Sequence, residues 1–401
     1  MSINWPVRTR FTSDMGAAGH IAVVLGDLSG GGSERVAIRL ANRWAAAGRR
    51  VVLYVAVEKG PLRAIVARNV QVRPIVPWSG EPELQPAHLG RALACMMFGD
   101  RPDIVVGPGN SHIAILSSLA AAMGKEKPPI VCKISNPLVR QDRGRLRQAL
   151  FETILRRRCA RFDHIVAMSP ALVADVASVL RRSVVSCLAE PTLDDSGITY
   201  RPEPQETRRR SVLCVGRLEP QKNFTLALEA LALMPPDVRV TFLGEGSERS
   251  ALAAHAAALG LGDRVTFAGH VEPITPFLHS ADALLCTSAF EGYPAALVEA
   301  LAARLPVVTT DCSPAIPEIM TDRSFGEVVA SADKIEIATR LFDVLEEGRR
   351  PSGPALVALR RRHDAERCAA DWLALLDRTA STGQPGPKGR KTPAEPATLA
   401  A

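Results

Sequence analysis

The strongest constraint on this chain is an alternation that runs twice. Short apolar segments, HIAVVLGDL (20–28), VVLYVAV (51–57), DIVVG (103–107), PIVCKIS (129–135) and HIVAMS (164–169), alternate with longer stretches of helical period. The first of those stretches predicts a helix from about Ser33 to Ala47. Strands and amphipathic helices in strict turn argue for α/β layers built around a parallel sheet. The series stops at DDSGITYRPEPQETRRR (194–210), which is polar and proline-bearing. It restarts with SVLCVG (211–216), VRVTFLG (238–244), RVTFAG (264–269), ALLCTS (283–288) and LPVVTT (305–310). Residues 355–378 predict a closing helix that contains Trp372.

This pattern divides the chain into a flexible N-terminus (1–19), a first Rossmann-like domain (20–195), a linker (196–210), a second Rossmann-like domain (211–379) and a tail (380–401) that is disordered by composition. Two doubly wound α/β halves on one linker leave a cleft between them, where the carboxyl ends of both sheets can meet a ligand.

Composition removes several classes of function. No apolar run has the length of a membrane span, and MSINWPVRTRFTSDMGAAG lacks the apolar centre of a signal peptide. Eight cysteines occur singly, without CxxC spacing, so neither a zinc site nor a disulfide framework is expected, and a reducing cytoplasm is the natural compartment. The absence of Asp-x-Asp removes one common way of holding a divalent metal against a nucleotide diphosphate. The net charge of +7 is concentrated: 140–161 carries eight arginines against Asp142 and Glu152. With three tyrosines in the chain and none among those arginines, nucleic acid is not the expected partner. A solvated face and an anionic membrane surface are the readings left. If 144–160 is one helix, Leu146, Leu150, Phe151 and Ile154 share much of a face flanked by arginines.

The chemistry-bearing motifs lie at strand ends. In AFEGYPAALVEAL (289–301), Glu291 and Glu299 bracket Gly292, Tyr293 and Pro294. Pro294 suits the first position of a helix over Ala295 to Ala302, whose leading N–H groups would be open to an anion. Glu291 then stands before that helix and Glu299 upon it. Arg217 and Lys222, in VGRLEPQKNF (215–224), place two cations at the carboxyl end of the first strand of the second half, beside another helix start. A planar fork and a point charge together suit a diphosphate. GGGSER (30–35) makes a glycine turn before a helix, where backbone can approach a ligand closely. Gly107-Pro108-Gly109 starts a dinucleotide fingerprint that Ser111-His112 does not complete.

Together these motifs resemble the retaining glycosyltransferases of family 4, which have the GT-B fold. The resemblance extends from about His20 to Arg378 and is strongest in GRLEPQKN, in FLGEGSERSALAAHAAALGLGDRVTFAGHV and in TSAFEGYPAALVEALAARLPVVTTDC, with GGSERV and DHIVAMSPALVADV in the first half. It implies a nucleotide-sugar donor, a UDP-sugar ahead of a GDP-sugar, and a glycan or lipid-linked glycan acceptor, with no cofactor and no metal. Arg217 and Lys222 would hold the donor diphosphate, and Glu291 would meet the donor sugar hydroxyls. Backbone around Gly292, Tyr293, Pro294, Ala295, Ala296 and Leu297 would contact sugar and phosphate. Glu299 would accept the ribose hydroxyls, His270 and Val271 would border the base with Gly244 nearby, and Gly31 and Gly32 would lie near the diphosphate and acceptor.

Three departures from the family pattern bear on the acceptor side. Lys133, Ser135 and Asn136 stand near where many relatives place a histidine or an acid. Glu190-Pro191 replaces the hinge's asparagine-proline, and Cys312-Ser313-Pro314 follows where glycines are frequent. The resemblance also leaves room for a nucleotide-sugar epimerase or hydrolase of the same fold, or for a non-catalytic partner subunit; the four charged donor-side residues argue against the last.

Overall fold

The computed structural model describes residues 18–29, 31–75, 85–139, 144–182, 185–193, 210–330 and 332–383. Gly30, Arg140, Asp142, Arg143 and most of the expected N-terminus, linker and tail lie outside the described residues.

The first half is a seven-stranded parallel sheet of β1 (His20–Leu25), β2 (Arg50–Val55), β3 (Gln71–Pro74), β4 (Ile104–Gly107), β5 (Ile130–Ile134), β6 (His164–Ala167) and β7 (Ser186–Cys187), in the order β3-β2-β1-β4-β5-β6-β7. The second half is a six-stranded parallel sheet of β8 (Arg210–Val215), β9 (Val238–Leu243), β10 (Val265–Gly269), β11 (Ala283–Cys286), β12 (Val307–Thr310) and β13 (Gly326–Val329), ordered β10-β9-β8-β11-β12-β13. Both are the doubly wound sheets that the alternation predicts. β1 shows why the pattern is legible: all six residues are buried, because helices cover both faces of a parallel sheet. The helix Gly32–Ala46 matches the predicted one and buries Val36, Ala37, Leu40, Ala41, Trp44 and Ala45 at helical spacing.

Three strands have no counterpart in the sequence reading: β3, β7 and β13. Each is a sheet edge. Edge strands are short and polar where a sheet must avoid pairing with another chain, so they carry too little apolar pattern to stand out.

The closing helix also differs. It divides at Asp364 into Gly353–His363 and Ala365–Gly383, and Asp364 itself is extended (φ −57°, ψ 127°). The break lies where the chain crosses back between the halves. Leu193 donates to the His363 carbonyl at 3.1 Å, and Ala365 donates to the Leu193 carbonyl at 3.1 Å, so the two crossings run side by side. Sequence position groups 365–383 with the second half, but its packing is with the first. Trp372 meets Trp44 with ring centroids 6.2 Å apart. The Trp44 indole donates to the Ala369 carbonyl, and Arg49 clasps the Asp377 carboxylate with both terminal nitrogens. Burying two tryptophans holds the helix Ala365–Gly383 against the first half.

Candidate active site

The loop from Ser288 to Pro294 leaves β11 and is fixed from below. Gln221 donates to the Phe290 carbonyl at 2.8 Å and accepts the Ala289 N–H at 2.8 Å. The Thr310 hydroxyl donates to the Ser288 carbonyl, the Ser313 hydroxyl to the Gly292 carbonyl, and the Glu291 N–H to the Cys312 carbonyl at 2.6 Å. The helix Ala295–Ala302 then begins where the sequence placed it, with Pro294 as the residue before its first turn rather than as a member of that turn. Leu297 spends its N–H on the Pro294 carbonyl, so it is not available to a ligand, contrary to the sequence expectation. The N–H groups of Ala295 and Ala296 take no acceptor among the described residues, as the first turn of a helix dictates.

Glu291 is the centre of a polar cluster at the carboxyl end of the second sheet. Its Oε1 accepts from Lys222 Nζ at 2.6 Å and from the Ser288 hydroxyl at 2.8 Å, while Oε2 has no partner among the described residues. Burial opposes the Lys222 charge, but the Glu291 carboxylate outweighs it and holds the ammonium above its ordinary range. Gly216, at φ +150°, lets the Lys222 stem lie across it: a β-carbon there would come within 2.6 Å of Lys222 Cε. Gly244, at φ +148°, packs on the Gly216 carbonyl in the same way. Arg217 is exposed at the end of β8, and its charge acts on Glu34 in the opposite domain. His270 is exposed and Val271 half-buried just beyond β10.

The two halves touch here. A β-carbon on Gly292 would overlap the Ser135 carbonyl oxygen, so only glycine fits between the loop and the first domain. Ser135 and Asn136 are themselves held by Asn110, whose side-chain oxygen accepts both their N–H groups at 2.7 and 3.2 Å. Gly109 packs between the hydroxyls of Ser33 and Ser135, which brings the Gly31-Gly32 turn beside them. Glu299, half-buried on its helix, lies 3.7 Å from Arg35 of the first domain, and Arg35 also meets Glu272 at 3.3 Å. Burial raises the Glu299 pKa, with Arg35 and Arg39 pulling the other way.

Tyr293 is a different case. Its ring is buried, and its hydroxyl lies 2.9 Å from His363 Nε2. His363 Nδ1 lies 3.1 Å from the Glu190 carbonyl, which can only accept, so Nδ1 carries the proton and the Tyr293 hydroxyl donates to Nε2. Burial holds this histidine neutral, down to about 4. The Tyr293 side chain ties the 288–294 loop to the crossover segment.

Sequence reasoning gave no role to Arg35, Glu272 or Asn110, because each acts through a residue remote in the chain. The structure also relates two of the departures to each other. Lys133, at the end of β5, pairs with Glu190 of the crossover in a buried ion pair, with side-chain exposures of 3% and 10%. A lysine placed where relatives have a histidine or acid is thus matched by a glutamate in the hinge. Among the described residues no group of three His, Cys, Asp or Glu side chains is arranged to hold a metal, and no helix is long and apolar enough to cross a membrane.

Two parallel-sheet domains meeting at their carboxyl ends define the GT-B architecture, and comparison with known proteins gives the family. The model described as Glycosyltransferase Family 4 matches residues 30–186, and that of Glycosyl transferases group 1 matches 199–355. The chain belongs to these family 4-type glycosyltransferases. It is 30% identical over 136 residues (34% of this chain, 37% of the relative) to N-acetylgalactosamine-N,N'-diacetylbacillosaminyl-diphospho-undecaprenol 4-alpha-N-acetylgalactosaminyltransferase of Campylobacter jejuni. It is 26% identical over 249 residues (60% of this chain, 65% of the relative) to lipopolysaccharide 1,6-galactosyltransferase of Escherichia coli K12. The matched parts therefore span about a third to two thirds of those curated relatives. In fold, the chain is similar to Anabaena HepE in complex with UDP and glucose, with TM-score 0.72, 18% identity and coverage of 89% of this chain and 99% of that one.

Proposed function

We propose that this glycosyltransferase moves a hexose-type sugar from a nucleotide diphosphate sugar, a UDP-sugar ahead of a GDP-sugar, to a glycan or lipid-linked glycan, with retention of anomeric configuration. The observation that carries the reading is the Lys222–Glu291 pair beside Arg217 at the carboxyl end of the second sheet, facing Ser135 and Asn136. Lys222 and Arg217 would take the diphosphate, joined by the Ala295 and Ala296 N–H groups. Glu291 orients Lys222 through Oε1 and leaves Oε2 for a donor sugar hydroxyl. Glu299 would take the ribose hydroxyls in place of Arg35. The acceptor hydroxyl would attack from the face the phosphate leaves, and the phosphate would take its proton. Charge building on that phosphate is what the cations and the helix N-terminus stabilise. The relatives quoted above are named for lipid-linked and lipopolysaccharide acceptors, and HepE for its UDP complex; both favour this donor and acceptor class.

A thermal-shift screen of UDP-, GDP- and ADP-sugars tests the donor, followed by transfer assays on the ligand that stabilises most. Glu291→Gln keeps the shape and loses charge-assisted hydrogen bonds of about 1.5–3 kcal/mol each, so turnover falls about tenfold or more. Wild-type turnover in a folded Glu291→Gln protein rejects the assignment.

The same reading places the first domain on an anionic membrane. The helix Arg145–Cys159 has its apolar stripe in the open: Leu146 is 89% exposed, Leu150 63% and Ile154 40%, while Phe151 turns toward the core. Arg145, Arg147, Arg157, Arg158 and Arg161 are exposed around it, whereas Arg156 is occupied by Glu152 and the Val179 carbonyl. Apolar residues between cations suit an anionic interface, where each cation contributes about 1 kcal/mol. Flotation with phosphatidylserine-containing vesicles, but not with neutral ones, is expected, and Arg157→Glu with Arg158→Glu abolishes it. No flotation at low salt ends this part of the reading.

A further inference from the structure

Cys286 ends β11, in register with Thr309 of the neighbouring β12, and Cys312 follows that strand by two residues. The Thr309 hydroxyl lies 3.9 Å from the Cys312 sulfur. Both thiols belong to the network that shapes the donor side. Cys286 contacts the Ser288 hydroxyl at 3.6 Å, Ser288 donates to the same Glu291 oxygen that Lys222 holds, and the Cys312 carbonyl accepts the Glu291 N–H.

We propose that Cys286 and Cys312 form a thiol–disulfide pair built into the donor side of the cleft, and that its oxidation shuts nucleotide-sugar binding. The second half of this statement rests on the donor reading above. The Cys312 thiol lowers the Cys286 pKa, burial and the Glu291 carboxylate oppose it, and the Lys222 ammonium lowers it further, leaving it at about 6; Cys312 rises. Burial pushes Cys132, Cys159, Cys187, Cys214 and Cys368 upward instead. Reactive thiols are those held as thiolates beside a cation, with a second thiol in reach.

Hydrogen peroxide supplies the oxidant. The Cys286 thiolate attacks one peroxide oxygen, the O–O bond breaks, and hydroxide leaves and takes a proton, giving a sulfenic acid. The Cys312 sulfur then attacks the Cys286 sulfur and water departs with the second proton. Two thiols and one peroxide become a disulfide and two waters. Bringing the sulfurs to about 2.05 Å draws the loop after β12 toward β11. Because that loop accepts the Glu291 N–H, Glu291 shifts and its hold on Lys222 changes.

The experiment treats the full chain with hydrogen peroxide, blocks free thiols with N-ethylmaleimide and digests with trypsin. Peptides 265–304 and 305–323 each contain one cysteine, so their joining reports this disulfide alone. Crosslinking that rises in rate as pH passes 6, with UDP affinity falling tenfold or more and returning with dithiothreitol, is the expected result. Cys286→Ser and Cys312→Ser should each abolish the crosslink. The proposal is overturned if the peptides do not join while Cys95 or Cys187 is oxidised, or if they join and UDP affinity is unchanged. Reduced wild-type protein is titrated with UDP first: if it fails to bind, the donor reading falls and the blocking of donor falls with it, while joining of the two peptides separately decides the thiol pair.

Discussion

A Lys222→Ala protein keeps its fold and loses sugar transfer by about a hundredfold to a thousandfold. Lys222 is mostly buried and its Nζ sits 2.6 Å from Glu291, so the substitution removes two things together. The donor diphosphate loses a charge-assisted partner positioned where negative charge grows in the transition state, an effect of about 2.7–4 kcal/mol in comparable sites. Glu291, only 12% exposed, also keeps its carboxylate without the neutralising ammonium and repels the incoming phosphates. Each 1.36 kcal/mol is a factor of ten in rate, which sets the range. Calorimetry separates the cause: UDP binding should weaken far more than uridine binding. Equal losses for the two ligands would show that the lysine serves the nucleoside or the fold, and not the phosphates.

Glu190→Gln should destabilise the protein by about 3–5 kcal/mol in urea denaturation. The Lys133 ammonium is 3% exposed, and Glu190 is the only acidic side chain paired with it among the described residues. A buried ion pair contributes little net stability, but removing one member leaves the other charge in a poor solvent. The double variant Lys133→Met with Glu190→Leu should recover most of the loss, because apolar groups of similar volume need no partner. A single variant as stable as wild type would show that water reaches Lys133. A double variant no better than the single one would mean that the pair also orders the crossover, where the Glu190 carbonyl meets His363 and Thr192.

How legible the site was depended on how local its parts are. Glu291 and Glu299 share one loop and the helix that follows, and Lys222 lies just beyond Arg217, so their spacing survives in the sequence. Arg35 could not be read the same way: a single arginine in a helical stretch has no periodicity that announces an acid 264 positions further on in the chain. Tyr293 was legible as a member of the motif but not in its role, because the His363 that it serves belongs to the far crossover. Lys133 and Glu190 each stood out as departures, and only their meeting in space shows that one accommodates the other.

The sequence by itself determined the two α/β halves, ten of the thirteen described strands and the spacing of Arg217, Lys222, Glu291 and Glu299. These follow from short-range facts: apolar runs too short for helices, glycines at strand ends and acids set around a helix start. Only the tertiary structure decided which edges the short strands β3, β7 and β13 occupy, that the last helix returns to the first domain, and that Cys286 and Cys312 both join the network around Glu291. Those outcomes depend on contacts between residues far apart in the chain. Such contacts form when apolar surface is buried, and burial leaves no fixed spacing in the sequence from which to read them.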